Sequence, residues 1–470
     1  MKIFDFVLAR LPPQIRERAK SGTLGHRLAK STFWSLVGSV IGRLVGIPTS
    51  VLLARLLGRH DYGELGMIYS SIELFGIFGG FGLGLTATKH VAEFKRRDPE
   101  RAGRILALSN LTAYFTGGIF ALVLFLFAGK LAAGPLAAPQ LTIPLQISAL
   151  VLFLTCVDGA QTGALAGFEA FNHLARLQLL KGILNFPCSI GGLYLAGLPG
   201  ILWGLALSRF VGLVLNRIYL NGEARKAGVP LTLVGYTREL PILWRFSVPA
   251  LFAGAMVAPV NWFCSTLLVH QPDGYREMGA YNAANQWFTM ILFIPTALAT
   301  GIIPVLSESL GEKDLKRSAK VLNMMLGINA VLVFPVVLIM SLLAPYVMLI
   351  YGREYRDAWP TLVILLITSG VYAVLTPVGE IIAASGKMWI GFVMNLGWAA
   401  VLVVATYYLV HLGSFGFASS RLIAYSFHAI WTFAFAYAVV LRKPVSVQEM
   451  VDLRVARAVA ESDPADPTIE

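Results

Sequence analysis

Residues 104–128 read RILALSNLTAYFTGGIFALVLFLFA, and no charged side chain follows Arg104 in this stretch. An α-helix rises about 1.5 Å per residue, so a helix of this length crosses the ~30 Å hydrocarbon core of a membrane. Comparable apolar stretches recur along the chain. The sequence therefore predicts an all-α integral membrane protein with about twelve transmembrane helices, at 31–57, 62–88, 104–128, 141–168, 174–196, 199–220, 242–268, 279–306, 320–345, 359–384, 388–411 and 415–441.

The composition agrees with a surface that faces lipid. Only 14% of the 470 residues are charged, whereas soluble domains carry about 25%, and the mean hydropathy is +0.69. The net charge of +12 comes from Lys and Arg in short loops, so we expect no nucleic-acid partner. Three cysteines lie inside apolar segments, which supports neither a disulfide framework nor a metal site: Cys156, Cys188 and Cys264.

The distribution of Lys and Arg predicts the orientation of the chain. The loops and termini on the side of the N-terminus carry 29 of these residues, and the opposite loops carry six. Cytoplasmic loops of membrane proteins are enriched in Lys and Arg. We therefore expect a multi-pass protein of the bacterial inner membrane with both termini in the cytoplasm.

The chain contains an internal repeat. YGELGMIY at 62–69 resembles YREMGAY at 275–281, a spacing of about 213 residues, and each precedes a long apolar helix and a charged loop, at 93–104 and 307–317. Repeats with an even number of helices keep the same orientation in the membrane, and transporters commonly place their substrate path between such halves.

A second pair of segments extends the repeat, because LPGILWGLALS at 198–208 resembles GSFGFASSRLI at 413–423. The repeat predicts two six-helix bundles around a central cavity. We divide the chain into a basic cytoplasmic N-terminal segment, an N-terminal bundle, a cytoplasmic linker, a C-terminal bundle and a cytoplasmic tail, at 1–30, 31–220, 221–241, 242–441 and 442–470.

Several segments together resemble the bacterial polysaccharide and O-antigen flippases of the multidrug/oligosaccharidyl-lipid/polysaccharide (MOP) exporter superfamily. They are ARLLGRHDYGELGMIYS at 54–70, FGLGLTATKHVAEF at 81–94, EKDLKRSAK at 312–320 and YGREYRDAWP at 351–360. The resemblance covers about residues 30–440. It implies a fold like that of multidrug and toxin extrusion (MATE) transporters and translocation of undecaprenyl-diphosphate-linked oligosaccharide by alternating access. Candidate protein partners are a polysaccharide polymerase and glycosyltransferases.

Ionisable side chains inside the predicted helices are the candidate site residues, because a charge at mid-depth costs about 2.5–3.5 kcal/mol on insertion scales. Arg43 and Glu73 lie near the middle of neighbouring helices. Arg43 would attract a diphosphate or an anionic sugar, and Glu73 would be its counter-ion or a proton or cation site. The alternative is a structural ion pair.

Four further charges are candidates for the cavity. Asp158 and Lys181 lie at similar depth in neighbouring helices, where a structural pair is as good an interpretation as a substrate contact. Arg209 and Arg421 occupy roughly corresponding places in the two halves, where they line the cavity or pair locally. Aromatic and amide side chains that could contact sugar are Tyr69, Asn110, Trp262, Asn285, Gln286 and Trp287.

Sequence motifs for catalysis are missing. The Gly-Lys pairs at 129–130 and 386–387 lack the Ser or Thr of a phosphate loop, and GGFGLGL at 79–85 lies inside a predicted helix. We expect a transporter without catalytic residues, bound metal or cofactor, driven by the substrate gradient or by coupled H⁺ or Na⁺. The main alternative is an ion-coupled drug exporter of the same superfamily, and a peptidoglycan-precursor flippase or a membrane glycosyltransferase are further ones.

Overall fold

The computed structural model of the protein describes residues 24–231, 234–312, 314–385 and 388–441, with most side chains described from residue 46 onward. All regular secondary structure in these ranges is helical. Besides the short helix Ala344–Leu349, the described residues form twelve helical passes: α1 (24–57), α2 (59–80 and Leu83–Phe94), α3 (Pro99–Ala133), α4 (Thr142–Gly167), α5 (171–195), α6 (198–226), α7 (Val248–Gly254 and Val257–Val269), α8 (Gly274–Ile291 and Phe293–Gly311), α9 (Leu315–Leu342), α10 (Trp359–Ala384), α11 (Met388–Leu409) and α12 (Gly413–Phe435).

Two pairs of helices follow one another without a loop, and a glycine reverses the chain between them. Gly58 separates α1 from α2 with φ 78°, and the hydroxyls of Ser50 and Tyr62 then meet at 2.6 Å. Twelve residues of continuous helix would hold them about 18 Å apart. Gly197 separates α5 from α6 with φ 61°. These positive φ angles, which only glycine adopts without strain, therefore create two helical hairpins.

The predicted number of membrane passes agrees with this architecture. By length and hydropathy, seven helical segments of the described chain could span a membrane, and eight could if Gly46–Gly80 and Leu83–Phe94 form one span. Two of these segments, Phe171–Lys226 and Trp389–Ala438, contain two passes each. The other two passes, α1 and α8, include side chains outside the described set.

Details of the backbone geometry in the N-terminal half recur in the C-terminal half. Asp98 caps α3 by accepting from the backbone N–H of Arg101, and Asp314 caps α9 through Arg317 in the same way. Gly197 (φ 61°, ψ −141°) and Gly413 (φ 65°, ψ −142°) precede α6 and α12 with nearly identical geometry. Both comparisons give a spacing of 216 residues (314 − 98 and 413 − 197).

A break divides α2, in contrast to the prediction of a single helix over 62–88. Phe81 and Gly82 have φ 48° and 64°, and Gly46–Gly80 meets Leu83–Phe94 at 41° across this break. The glycine-rich run 79–85, which we expected inside a helix, therefore interrupts one. Gly163 of α4 lies so close to Gly84 that a Cβ at Gly163 would be 2.1 Å from the Gly84 carbonyl oxygen. The glycines thus allow α2 to bend and to pack closely on α4.

The predicted linker 221–241 is partly helical and is docked. Helix α6 continues to Lys226, because its final residues Glu-Ala-Arg-Lys favour a helix outside the membrane. Glu239 ends a short 3₁₀ turn, Tyr236–Glu239, and its buried carboxylate accepts bonds from Arg101 Nε at 3.1 Å and Arg104 Nε at 3.3 Å. The approach to α7 is therefore anchored on α3.

Candidate functional site

Two adjoining cavities lie at the junction of the two halves. The first, here called the large cavity, has a volume of about 780 Å³ and is lined by α2, α4, α5, α6 and α7. The second, the small cavity, has a volume of about 300 Å³ and is lined by α1, α2, α5 and α8. Tyr69, Glu73 and Asn185 line both. A ligand that enters one cavity can therefore extend towards the other.

Glu73 lies where the two cavities meet. It is the one carboxylate among the residues that line them, and its side chain is exposed. The electrostatic neighbour of Glu73 among the described side chains is Arg421. The Arg43 side chain lies outside the described residues, although its backbone belongs to α1. The pairing of Arg43 with Glu73 therefore stays a prediction.

Arg209 lines the large cavity and is half-buried. It is close enough to Tyr69 to influence it electrostatically. Arg209 and Arg421 correspond less closely than expected, since the spacing of 216 residues pairs Arg209 with Tyr425 (209 + 216 = 425). The two cations are thus offset by one helical turn in their respective halves, because four residues separate 421 from 425.

Arg421 is buried behind the small cavity, with 7% of its surface exposed. Its Nη1 donates to the Tyr281 hydroxyl at 2.5 Å and to Asn285 Oδ1 at 2.7 Å, and its Cζ lies 4.3 Å from the ring centre of Phe288. No carboxylate of the described chain forms an ion pair with it. Arg421 is therefore a buried cation held by neutral groups, an arrangement that favours an incoming anion.

Asp158 and Lys181 form a buried ion pair outside the cavity lining. Lys181 Nζ lies 2.6 Å and 2.8 Å from the two carboxylate oxygens of Asp158, and each residue is 8% exposed. Asn216 of α6 donates to Asp158 Oδ1 at 2.7 Å. Gly212 makes room for the lysine, since a Cβ there would be 2.6 Å from Lys181 Cε. This geometry fits the structural alternative, a pair that ties α4, α5 and α6 together.

The sugar-contact candidates divide between cavity and packing. Tyr69, Asn285 and Gln286 line the small cavity. Trp262 instead donates to Ser71 Oγ at 3.0 Å, and Asn110 donates to the Leu106 carbonyl of its own helix at 2.9 Å.

Two cavity amides, Asn185 and Asn282, were missed by our sequence reasoning. In the sequence, each of them is a carboxamide within an apolar helix. Many residues that only pack between helices show the same pattern, so it does not identify a cavity residue.

One end of the molecule is closed by a network around Arg59, a residue that the sequence reasoning counted only as a loop charge. Its Nη2 lies 2.7 Å from Glu277 Oε1 and its Nη1 lies 2.9 Å from Asp357. Arg59 Nε donates to the Arg276 carbonyl at 2.8 Å, and Nη1 also donates to the Glu354 carbonyl at 3.0 Å. Arg59 is 5% exposed, whereas its partner Asp357 is largely exposed. These contacts, here called the Arg59 network, connect the two halves.

Close helix contacts complete this closed end. A Cβ at Gly63 would lie 1.9 Å from the Tyr275 carbonyl, and one at Gly279 would lie 1.9 Å from the Arg59 carbonyl. The Tyr275 hydroxyl donates to the Leu136 carbonyl at 2.6 Å. Small residues thus let α2 and α8 meet without space for a ligand.

At the opposite end of the molecule, other contacts join the two halves. The described contacts across it include the Thr86–Ser247 hydroxyl pair at 2.7 Å and Lys89 Nζ at 4.4 Å from the Phe246 ring. Both involve the segment that leads into α7.

A possible metal group contrasts with the expectation of no metal site. His60, Asp61 and Glu64 place one ligand atom each within 4.8 Å of one another. However, Glu64 Oε1 already accepts from Gln140 Nε2 at 2.6 Å, and His60 and Asp61 are exposed. Exposed acidic groups are common without an ion, so the group carries no metal assignment.

Comparison with known families gives two matches. The family described as polysaccharide biosynthesis protein matches residues 28–310, which is more than half of the chain. The MatE family matches residues 249–409. The two matches together extend through both halves of the repeat.

Relatives of known name agree with these matches. The EPS I polysaccharide export inner membrane protein EpsE of Ralstonia nicotianae is 26% identical over 395 residues, which is 80% of this chain and 86% of that protein. The putative O-antigen transporter of Shigella flexneri is 24% identical over 359 residues, covering 72% of this chain and 81% of that one.

A solved structure supports the fold. The inward-facing conformation of a multidrug resistance MATE family transporter of the MOP superfamily matches with a TM-score of 0.73 and 16% identity, over 86% of this chain and 98% of that chain. Helix count, internal repeat and central cavities agree with such an architecture. The chain therefore belongs to the family of polysaccharide biosynthesis proteins and is a multi-pass membrane transporter.

Proposed function

We propose that this protein is a flippase that moves an undecaprenyl-diphosphate-linked oligosaccharide, the repeat unit of a surface polysaccharide, across the bacterial inner membrane. The observation that carries the proposal is the pair of adjoining cavities, which combine cationic, amide and apolar walls. A diphosphate needs cations, sugars need amides and hydroxyls, and a polyprenyl chain needs apolar surface. The relatives named for polysaccharide export and O-antigen transport support the same substrate class.

The drug exporter is less well supported by the polar residues. Arg209 lines the large cavity and Arg421 lies behind the small one, so cations outnumber the single cavity carboxylate, Glu73. Cationic drugs would be repelled by this arrangement, whereas a diphosphate would be attracted. In the proposed mechanism Arg43 joins the two other arginines in attracting the diphosphate, and Glu73 balances them or binds the coupling H⁺ or Na⁺.

Orientation follows from the loop charges. We place the Lys- and Arg-rich loops and both termini in the cytoplasm, which puts the Arg59 network on the outer side. The described conformation is then closed outside, and substrate enters from the cytoplasmic leaflet. Opening to the outside requires the Arg59 network to break. Glycosyltransferases that complete the substrate, and a polymerase that consumes it, are the partner enzymes we propose.

The central test is a translocation assay in proteoliposomes. A fluorescent short-chain polyprenyl-diphosphate oligosaccharide is added, and its exposure to an outside glycosidase is followed. We expect protein-dependent exchange between leaflets, lost in Arg43→Ala and partly kept in Arg43→Lys. Wild-type protein that exchanges no sugar head but couples dye efflux to a cation gradient would favour the drug exporter instead.

Removal of the outer network should shift the conformational equilibrium. We expect Arg59→Ala to raise the population open to the outside at least about tenfold, because loss of contacts to a buried, paired charge changes binding free energies by about 2–5 kcal/mol. The measurement is labelling of Tyr69→Cys by a membrane-impermeant maleimide, in a background without the three natural cysteines.

The matched control for this experiment is Arg276→Ala. It removes an arginine from the same end, but the exposed Arg276 side chain donates no bond to the Arg59 network, which uses only its backbone carbonyl. Equal labelling rates in the two variants would show that the Arg59 network does not hold the outer side closed.

A further inference from the structure

The segment that leads into α7 has two faces of different character. Residues 236–247, here called the lead segment, contain the 3₁₀ turn Tyr236–Glu239 and the π-helical turn Leu243–Ser247. The Leu243 N–H donates to the Leu240 carbonyl at 3.0 Å, which joins the two turns. Because the helical turns follow one another, side chains three or four positions apart share a face of the lead segment.

One face is bound to the protein. Glu239 accepts bonds from two arginines of α3, and the Ser247 hydroxyl meets that of Thr86 in α2 at 2.7 Å. The ring of Phe246 lies 4.4 Å from Lys89 Nζ, also in α2. These contacts hold the lead segment against α2 and α3, so its other face points away from the protein.

The outer face combines arginines with large apolar side chains. Trp244 is 76% exposed and Leu240 is 44% exposed, and Arg238 and Arg245 are exposed as well. With about 3.6 residues per turn, these four positions fall within one half of the helical circumference. The two arginines lie along one edge of this half, and Trp244 and Leu240 lie along the other. The outer face is therefore amphipathic.

The positive charge of the outer face is not neutralised by the protein. Glu239, the acidic residue that lies beside Arg238 in the sequence, is engaged by α3. Within the part of the chain that the structure describes, no carboxylate forms an ion pair with Arg238 or Arg245. Exposed cations of this kind attract anions from the surroundings, and an arginine can donate two parallel bonds to a phosphate group.

The lead segment lies where the chain enters the membrane. The apolar segment that includes α7 begins at Tyr236, and the sequence predicted the start of this helix at 242. Tryptophan is enriched at the boundary between hydrocarbon and headgroups, where its ring contacts acyl chains and its N–H contacts polar groups. The position of Trp244 and Arg245 thus matches the depth of lipid headgroups.

We propose that the outer face of the lead segment binds an anionic phospholipid of the leaflet on its side of the membrane. Arg238 and Arg245 bond to the phosphate, and Trp244 and Leu240 lie among the upper parts of the acyl chains. A zwitterionic phospholipid offers the same chains but no net charge, so the anionic lipid is preferred. This partner is part of the membrane and not the transported molecule, so the inference does not depend on the proposed function.

The test uses the full chain in nanodiscs of phosphatidylglycerol and phosphatidylcholine at one fixed composition. Leu240→Cys carries a small fluorophore, in a background without the three natural cysteines. Two preparations contain the same fraction of lipid with a nitroxide quencher on its acyl chain, as phosphatidylglycerol in one and phosphatidylcholine in the other. We expect at least about fivefold stronger quenching by the phosphatidylglycerol quencher, since each arginine near an anionic surface strengthens attraction about fivefold.

Two double variants show whether the effect belongs to this face. Arg238→Gln with Arg245→Gln should reduce the ratio of the two quenching constants to about twofold or less, because it removes both phosphate-binding side chains. The matched control, Arg96→Gln with Arg97→Gln, removes two exposed arginines from the loop before α3 at the same end of the molecule and should keep most of the wild-type ratio.

Size-exclusion profiles establish that both double variants fold. Equal quenching by the two lipids in the labelled protein with all four arginines would overturn the proposal. An equal decrease in both double variants would also overturn it, because the lipid would then respond to the general positive charge of this end and not to the lead segment. Since nanodiscs expose both faces of the membrane to the same lipids, neither result depends on the orientation of the chain.

Discussion

Arg421→Ala should lower the flipping rate roughly 100-fold, because a charge-assisted bond contributes about 1.5–3 kcal/mol and each 1.4 kcal/mol is tenfold in rate. The substitution removes the buried cation behind the small cavity and frees the oxygen of Asn285, which Arg421 holds at 2.7 Å. The measurement is the initial rate of leaflet exchange in proteoliposomes at equal protein density.

The stability of the Arg421→Ala variant distinguishes a role of Arg421 in transport from a role in folding. A buried cation without a carboxylate partner carries an uncompensated desolvation cost. Its removal should therefore leave the melting temperature in detergent unchanged or higher, although activity falls. Arg421→Lys keeps the charge but lacks the planar guanidinium that lies 4.3 Å from the ring centre of Phe288, so we expect partial activity. A large loss of folded protein in Arg421→Ala with normal flipping by the remainder would contradict the assignment.

Asp158→Ala should have the opposite effect on stability to that of Arg421→Ala. It leaves Lys181 buried without its partner, and breaking a buried pair destabilises proteins by about 3–5 kcal/mol. We expect a lower melting temperature and little folded protein after extraction. The lysine cannot easily reach water, because its side chain runs over Gly212 and is 8% exposed as a residue.

The double variant Asp158→Asn with Lys181→Met tests the structural interpretation. Replacing both charges by neutral groups of similar size is often tolerated, and Met can follow the same path over Gly212. We expect recovered stability and flipping within about threefold of wild type, since RT ln 3 is only about 0.65 kcal/mol. A stable double variant that does not flip would place this pair in the transport path after all.

These two sites explain why buried charges are hard to interpret from sequence. Asp158, Lys181 and Arg421 all lie within apolar helices, and each is costly there for the same reason. Their surroundings differ, because Lys181 meets a carboxylate at 2.6 Å, whereas Arg421 meets a hydroxyl, an amide and aromatic rings. Nothing in the spacing of these residues along the chain indicates that difference.

The repeat was predictable, but its exact register was not. The short motifs gave a spacing of about 213 residues, whereas the caps at Asp98 and Asp314 and the turns at Gly197 and Gly413 give 216. Loops between helices tolerate insertions, so different parts of one repeat can be offset by a few residues. This offset removed the expected correspondence of Arg209 with Arg421.

The polarity of short sequence segments was sufficient to predict the membrane architecture. Twelve apolar stretches predicted twelve helices because backbone groups in hydrocarbon must be hydrogen-bonded within their own segment, and charged loops mark where the chain leaves the membrane. Contacts between distant residues required the folded molecule. Arg59 meets Glu277 and Asp357 across about 220 and 300 residues, and the cavity amides converge from α5 and α8, because helix packing sets such neighbours and sequence distance does not.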